Sequence, residues 1–157
     1  MRTIKGIKFA RRCEPKTIPA PSSAVAKAGI AYEKKVFKAL QCIGFEIEHN
    51  PWFLFKDSKG FGYCVPDILM RCPKDCTRQI IIECKLKYKD SAIIKLERLY
   101  RPVVSIATNT WNVPLVIVKY LSETAPTPAL SLLGAINSYD ATGEIPVLHW
   151  MGKGVIM

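Results

Sequence analysis

Gln79-Ile80-Ile81-Ile82-Glu83-Cys84-Lys85 is the stretch on which the fold turns. Three β-branched residues in a row read as a strand buried on both faces. Two charged residues then follow inside the same strand. Glu83 and Lys85 are two apart, so their side chains point to one face. Burying either charge alone is expensive. A Glu–Lys pair can neutralise itself structurally, or it can belong to a site.

The residues upstream bear on that choice. Cys72-Pro73-Lys74-Asp75-Cys76 reads as a turn, and Ile68-Leu69-Met70 as the strand before it. With the turn centred near residue 75, facing positions of a simple hairpin sum to about 150. Asp67 then faces Glu83, and Val65 faces Lys85. Two carboxylates meet beside an ammonium. Carboxylates in contact repel, and a divalent cation with hard oxygen ligands relieves the repulsion. Further upstream, Ser22-Ser23 starts a helix that runs to about Cys42 and stops at Gly44. Ile30, Val36, Phe37, Leu40 and Ile43 have the three-and-four spacing of a buried stripe. Glu33 falls on that stripe or at its wet edge.

The remaining elements complete an α/β pattern. Residues 45–48 alternate as a strand. Residues 52–55 and 61–65 are aromatic strands joined by the turn Asp57-Ser58-Lys59-Gly60, and Ile68 to Met70 continues the second of them. Asp90-Ser91 caps a helix carrying Ile93, Ile94, Leu96, Leu99 and Tyr100, which Pro102 kinks or restarts near Val103. Residues 113–121 form a buried strand. Pro126 and Pro128 make a loop, 129–136 a short helix and 145–150 a last strand. The expected fold is a mixed central β-sheet flanked by helices. Residues 1–21, basic and carrying Pro15, Pro19 and Pro21, are expected to form an arm, and 22–157 a single domain.

The chain has 157 residues, enough for one core without staples. Hydrophobic residues make up 49% and charged residues 23%, which excludes a disordered chain. No apolar run approaches a membrane span of roughly 18 residues, and the N-terminus carries no secretory h-region. A cytoplasmic protein with no membrane partner is expected. The net charge is +10 and the pI about 9.4. Residues 1–16 hold six basic groups against one acid, and residues 85–101 six against two. Such segments fit a polyanion, most often nucleic acid. Six cysteines without a secretory signal are expected to be reduced thiols. Cys72 and Cys76 make half of a zinc site whose other half is not evident, and loop cysteines without a role fit better.

Pro66-Asp67 followed by Glu83-Cys84-Lys85 on a hydrophobic strand resembles the PD-(D/E)xK nuclease superfamily. Gly29-x-x-x-Glu33, the amphipathic helix and Gly44-Phe45 extend the likeness to archaeal Holliday-junction resolvases and small phage nucleases, over roughly residues 27–121. The stretch between Asp67 and Glu83 is longer than in the compact resolvases. The resemblance implies a restriction-endonuclease-like core and a DNA endonuclease leaving 5′-phosphate and 3′-hydroxyl ends. It implies catalytic Glu33, Asp67, Glu83 and Lys85. Asp67, Glu83 and the backbone carbonyl of Cys84 would hold Mg²⁺ or Mn²⁺, with Glu33 joining directly or through a water. Lys85 would orient the attacking water or stabilise developing phosphate charge, and a pKa lowered by desolvation beside the metal would suit it to proton transfer.

Branched DNA cut by a homodimer is the expected substrate. Cutting of ends, flaps or plain duplex is the alternative within the class, and a non-catalytic nucleic-acid-binding protein the alternative outside it. Lys87, Lys89, Lys95, Arg98 and Arg101 would contact phosphates just past the site. Arg2, Lys5, Lys8, Arg11 and Arg12 would form a mobile arm along the backbone. Lys95 and Arg98 also fit the wet face of a helix. Trp52, Phe53 and Phe55 fit core or a dimer interface better than base stacking.

Overall fold

Five strands carry the main sheet, in the order β2-β5-β6-β7-β8. They are β2 (Ile47–His49), β5 (Ile68–Arg71), β6 (Gln79–Lys85), β7 (Leu115–Tyr120) and β8 (Val147–Trp150). A computed structural model describes residues 6–87, 90–120 and 131–152. The pairs β2–β5 and β5–β6 are antiparallel, and β6–β7 and β7–β8 are parallel. The sheet is therefore mixed, with β6 and its isoleucines in the centre. The facing pairs Ile68↔Ile82, Leu69↔Ile81 and Met70↔Ile80 match the expected register.

A second sheet of three strands has the order β1-β3-β4, from β1 (Phe9–Arg12), β3 (Phe53–Asp57) and β4 (Gly60–Cys64). Two expectations are corrected here. Ile68 to Met70 does not continue β4. Val65-Pro66 breaks the strand, since proline has no N–H to give a ladder, and the chain leaves one sheet for the other. Nor are residues 9–12 a mobile arm, because Phe9↔Lys56 through Arg12↔Phe53 pair antiparallel with β3. Arg12 spans both sheets: its guanidinium bonds Glu48 at 2.7 Å and lies over the Phe53 ring.

Helix α1 (Ala24–Ile43) covers one face of the main sheet. The Ser23 hydroxyl accepts from the Ala26 N–H at 3.1 Å, and Gly44 closes the helix at φ 96°. Its buried stripe is Tyr32, Val36 and Leu40. Ile30 and Ile43, expected inside, are exposed. Helix α4 (Leu132–Thr142) adds Leu132, Ala135 and Ile136 to the same core. It begins after Ser131, whose hydroxyl caps Gly134 N–H, and runs past residue 136 to Gly143.

On the opposite face, α2 (Asp90–Lys95) runs through one π-helical turn, Leu96–Tyr100, into α3 (Arg101–Thr108). Pro102 falls in the first turn of α3, so the α-helix restarts there as expected. The turn ahead of it is wide, and Arg101 N–H reaches back five residues to the Leu96 carbonyl. A wide turn relieves the clash a proline ring makes with the carbonyl four residues earlier. Leu96, Val103 and Val104 fill the space between Ile81 and Ile117 of the main sheet and Ala10, Phe53 and Phe55 of the small one. Phe53 and Phe55 are core, as the strand spacing suggested.

Leu121, the loop at Pro126 and Pro128, and residues 129–130 fall outside the described residues, as do Arg2, Lys5 and Lys89. Among the described residues no helix is long and apolar enough to cross a membrane. Their cysteines are free. Cys72 packs into the core under α1 while Cys76 is exposed, so the two share no site.

Candidate active site

The β5–β6 ladder ends at Ile68↔Ile82. Beyond it Pro66 offers no N–H, and the Asp67 carbonyl accepts instead from Asn50 N–H at 2.9 Å. The Asp67 side chain takes over as the acceptor next to β6: Cys84 N–H donates to its Oδ2 at 2.8 Å. On β6, Lys85 Nζ donates to Glu83 Oε1 at 2.7 Å. Glu83 is only 2% exposed, while the Lys85 side chain is 29% exposed. Glu83 Oε2 is buried and has no hydrogen-bond partner.

Glu33 comes from α1, at the margin of its buried stripe. Its Oε1 lies 2.7 Å from His49 Nε2, and the His49 ring stacks on Phe37 at 5.0 Å between centroids. His49 was not singled out from the sequence as a partner of Glu33. Its signal was the alternation Ile47-Glu48-His49, which gives the face of the strand but not the helix across from it.

Glu33, Asp67, Cys84 and Lys85 line one cleft of about 890 Å³ together with Lys87 and Lys95. Glu83, buried and bonded to Lys85, is not part of the lining. Gly29, one turn before Glu33, also lines the cleft, and a Cβ added there meets nothing within 4 Å. The Cys84 side chain belongs to the core under α1, opposite Glu83 and Lys85. Burial first, then Asp67, Glu33 and Glu83, push its thiol up, which disfavours the thiolate.

The charges are unevenly satisfied. Burial, then the Glu83 and Glu33 carboxylates, push Asp67 up to about 8 against the opposing pull of the Cys84 N–H and Lys85. Burial alone would lower Lys85, but Glu83, its hydrogen bond and Asp67 outweigh it, and the net shift is upward. Without a metal Lys85 is thus held as a cation, whereas the lowered pKa was expected beside a bound ion.

Two carboxylates lining one cleft, Glu83 buried nearby with an oxygen that has no partner, and an aspartate raised by burial and by both glutamates fit a hard divalent cation. The fit is one of charge and donor type. Among the described residues no three acid, histidine or cysteine side chains already converge on a point.

The other expected phosphate contacts divide. Lys87 and Lys95 border the cleft, and Lys95 sits over the Tyr100 ring at 4.7 Å. Arg98 is exposed on the π-helical turn. Arg101 is spent on the Tyr139 hydroxyl. Lys8 and Arg11 are exposed at the small sheet, and Arg12 is held by Glu48.

No protein-family model matches the chain, and no curated protein does. Among solved structures it is similar to the crystal structure of protein VC1899 from Vibrio cholerae, at 15% identity and a TM-score of 0.43. The match covers 75% of this chain and 28% of that one, so this chain spans little more than a quarter of that protein's length. The α/β architecture, a mixed sheet and an antiparallel one packed with helices, is defined by the strands and helices of this chain.

Proposed function

We propose that the protein is a divalent-metal-dependent DNA endonuclease of the PD-(D/E)xK kind, acting on branched DNA as a homodimer. The observation that carries the reading is Asp67 bonded across to β6 at Cys84, between Glu83 and Lys85, in a cleft bordered by Glu33. Asp67, Glu83 and the Cys84 carbonyl would hold Mg²⁺ or Mn²⁺, with Glu33 as a further acid ligand. Such an ion supplies Lewis-acid charge at a phosphate and makes a water more acidic. Lys85, kept protonated by Glu83, supports charge on a phosphate oxygen and is not a base in the metal-free site. Lys87 and Lys95 draw the DNA backbone to the cleft. The branched substrate and the dimer rest on the resolvase likeness.

One observation favours a second reading, a nucleic-acid-binding protein without catalysis. Both glutamates already have protein partners, Lys85 and His49. Cleavage separates the two. A four-way junction, a flap, a duplex and a single strand are each incubated with Mg²⁺, Mn²⁺ or EDTA, with wild type beside Glu83→Gln. Junction cutting that needs both metal and Glu83 supports the resolvase-like nuclease. Equal cutting of every substrate keeps the nuclease and removes the branch preference. Binding without cutting under every condition leaves the second reading.

A further inference from the structure

The outer face of the small sheet has a composition that the cleft does not explain. Inward positions Ala10, Phe53, Phe55 and Cys64 are buried in the core. The outward positions are Phe9 and Arg11 on β1, Leu54 and Lys56 on β3, and Phe61 and Tyr63 on β4. Two rows cross the three strands. One reads Phe9, Lys56, Phe61, and the other Arg11, Leu54, Tyr63. Phe9, Phe61 and Tyr63 are 41%, 61% and 50% exposed. Lys56 lies over the Phe61 ring and Lys16 over the Tyr63 ring, at 5.3 and 5.8 Å. Trp52 meets the edge of Tyr63 at 5.7 Å. None of the six outward positions is acidic.

The geometry points to this face as a platform for unpaired nucleic-acid strands. Phe61 and Tyr63 lie about 7 Å apart along β4, and base–aromatic stacking tolerates any base. Arg11, Lys16 and Lys56 supply the charges that follow a phosphate backbone. A duplex keeps its bases stacked inside and offers the rings nothing. A second copy of the chain suits the face poorly, because Lys56 and Arg11 would meet their own like charges. Binding here does not depend on the carboxylates, so its test omits metal.

The test measures binding of a short oligothymidylate strand and of a duplex of equal length, in EDTA. The full chain carries Trp111→Phe, which removes an indole 82% exposed elsewhere, so that Trp52 reports on the platform against the constant signal of the buried Trp150. The strand is expected to bind more tightly than the duplex and to quench Trp52. Phe61→Ala combined with Tyr63→Ala weakens strand binding at least about 30-fold, and Tyr63→Phe alone keeps most of it. Lys56→Gln lowers the salt slope of strand binding by about 0.7. Thermal unfolding of each variant checks the fold. Unchanged strand affinity in the folded double variant overturns the proposal, as does a duplex bound as tightly as the strand. Self-association of the wild type, lost in the double variant while strand affinity stays the same, also overturns it and assigns the face to a second copy.

Discussion

Asp67 Oδ2 accepts the backbone N–H of Cys84 at 2.8 Å, so a carboxylate stands where a strand would put a carbonyl. The bond fixes the acid at the end of the sheet and brings it into a cluster that opposes its ionisation. Burial, Glu83 and Glu33 raise it to about 8. An acid whose folded pKa lies above its unfolded value of about 3.9 binds its proton more tightly when folded. Asp67's own contribution to metal-free stability is therefore greatest below that unfolded value and declines as pH rises toward 8. Asp67→Asn keeps an oxygen for the Cys84 N–H and takes up no proton on folding. At neutral pH it is expected to stabilise the metal-free protein by about 2–4 kcal/mol, at roughly 2–4 °C of Tm per kcal/mol. The difference disappears near pH 4, and cleavage is abolished. Thermal unfolding across pH checks the first part, and a gain independent of pH would refute it.

The same acid links metal binding to protons. A cation held by Asp67 must displace the proton that the metal-free site retains. Binding of Mg²⁺ or Mn²⁺ is expected to tighten as pH rises toward about 8 and to release a proton at pH 7. Calorimetry in buffers of different ionisation enthalpy measures that proton. A metal affinity flat over this range would remove Asp67 from the ligand set.

Lys85 and Glu83 are bonded to each other but are unequally buried. Lys85→Met leaves Glu83, 2% exposed, without its counter-charge, and is expected to cost about 3–5 kcal/mol. Glu83→Gln leaves a lysine that can turn to water, and is expected to cost about 1–2 kcal/mol. Denaturant unfolding of both variants and of the pair tests the asymmetry. In the double variant the costs fall short of their sum, because the buried unpaired charge is gone.

Local signals carried far in this chain, and non-local pairing did not. Ser23 and Gly44 bound α1 because caps act within a turn of the helix. The β5–β6 register was legible because one short turn sets it. The break at Pro66 was visible as a residue, but its consequence, two strands assigned to two sheets, depends on which partners lie nearby. Phe9–Arg12 pairs with β3 across more than 40 residues, and a basic stretch with a proline-rich tail says nothing of that partner. Apolar residues alone define the stripe expected for α1. Tyr32 enters it because its hydroxyl finds the Trp150 carbonyl at 2.9 Å, while Ile30 is left outside. Asp67, Glu83 and Lys85 could be set side by side from periodicity, but the His49 partner of Glu33 could not.

Gly29 offers a way to close the cleft without touching an acid. It lies in the interior of α1, with no positive φ and nothing within 4 Å of an added Cβ. Packing therefore does not require glycine, and in a helix interior it costs up to about 1 kcal/mol relative to alanine. Gly29→Ala is expected to raise stability by about that amount and to leave cleavage nearly unchanged. Gly29→Leu keeps the helix, but its side chain extends into the cleft that Glu33, Asp67 and Lys85 share. It is expected to retain the fold and the higher Tm while losing at least about tenfold in kcat/KM, which is roughly 1.4 kcal/mol of transition-state binding. Paired unfolding and cleavage measurements on the two variants check this. Full activity in Gly29→Leu would mean that substrate does not enter beside α1, and that the cleft is open from another side.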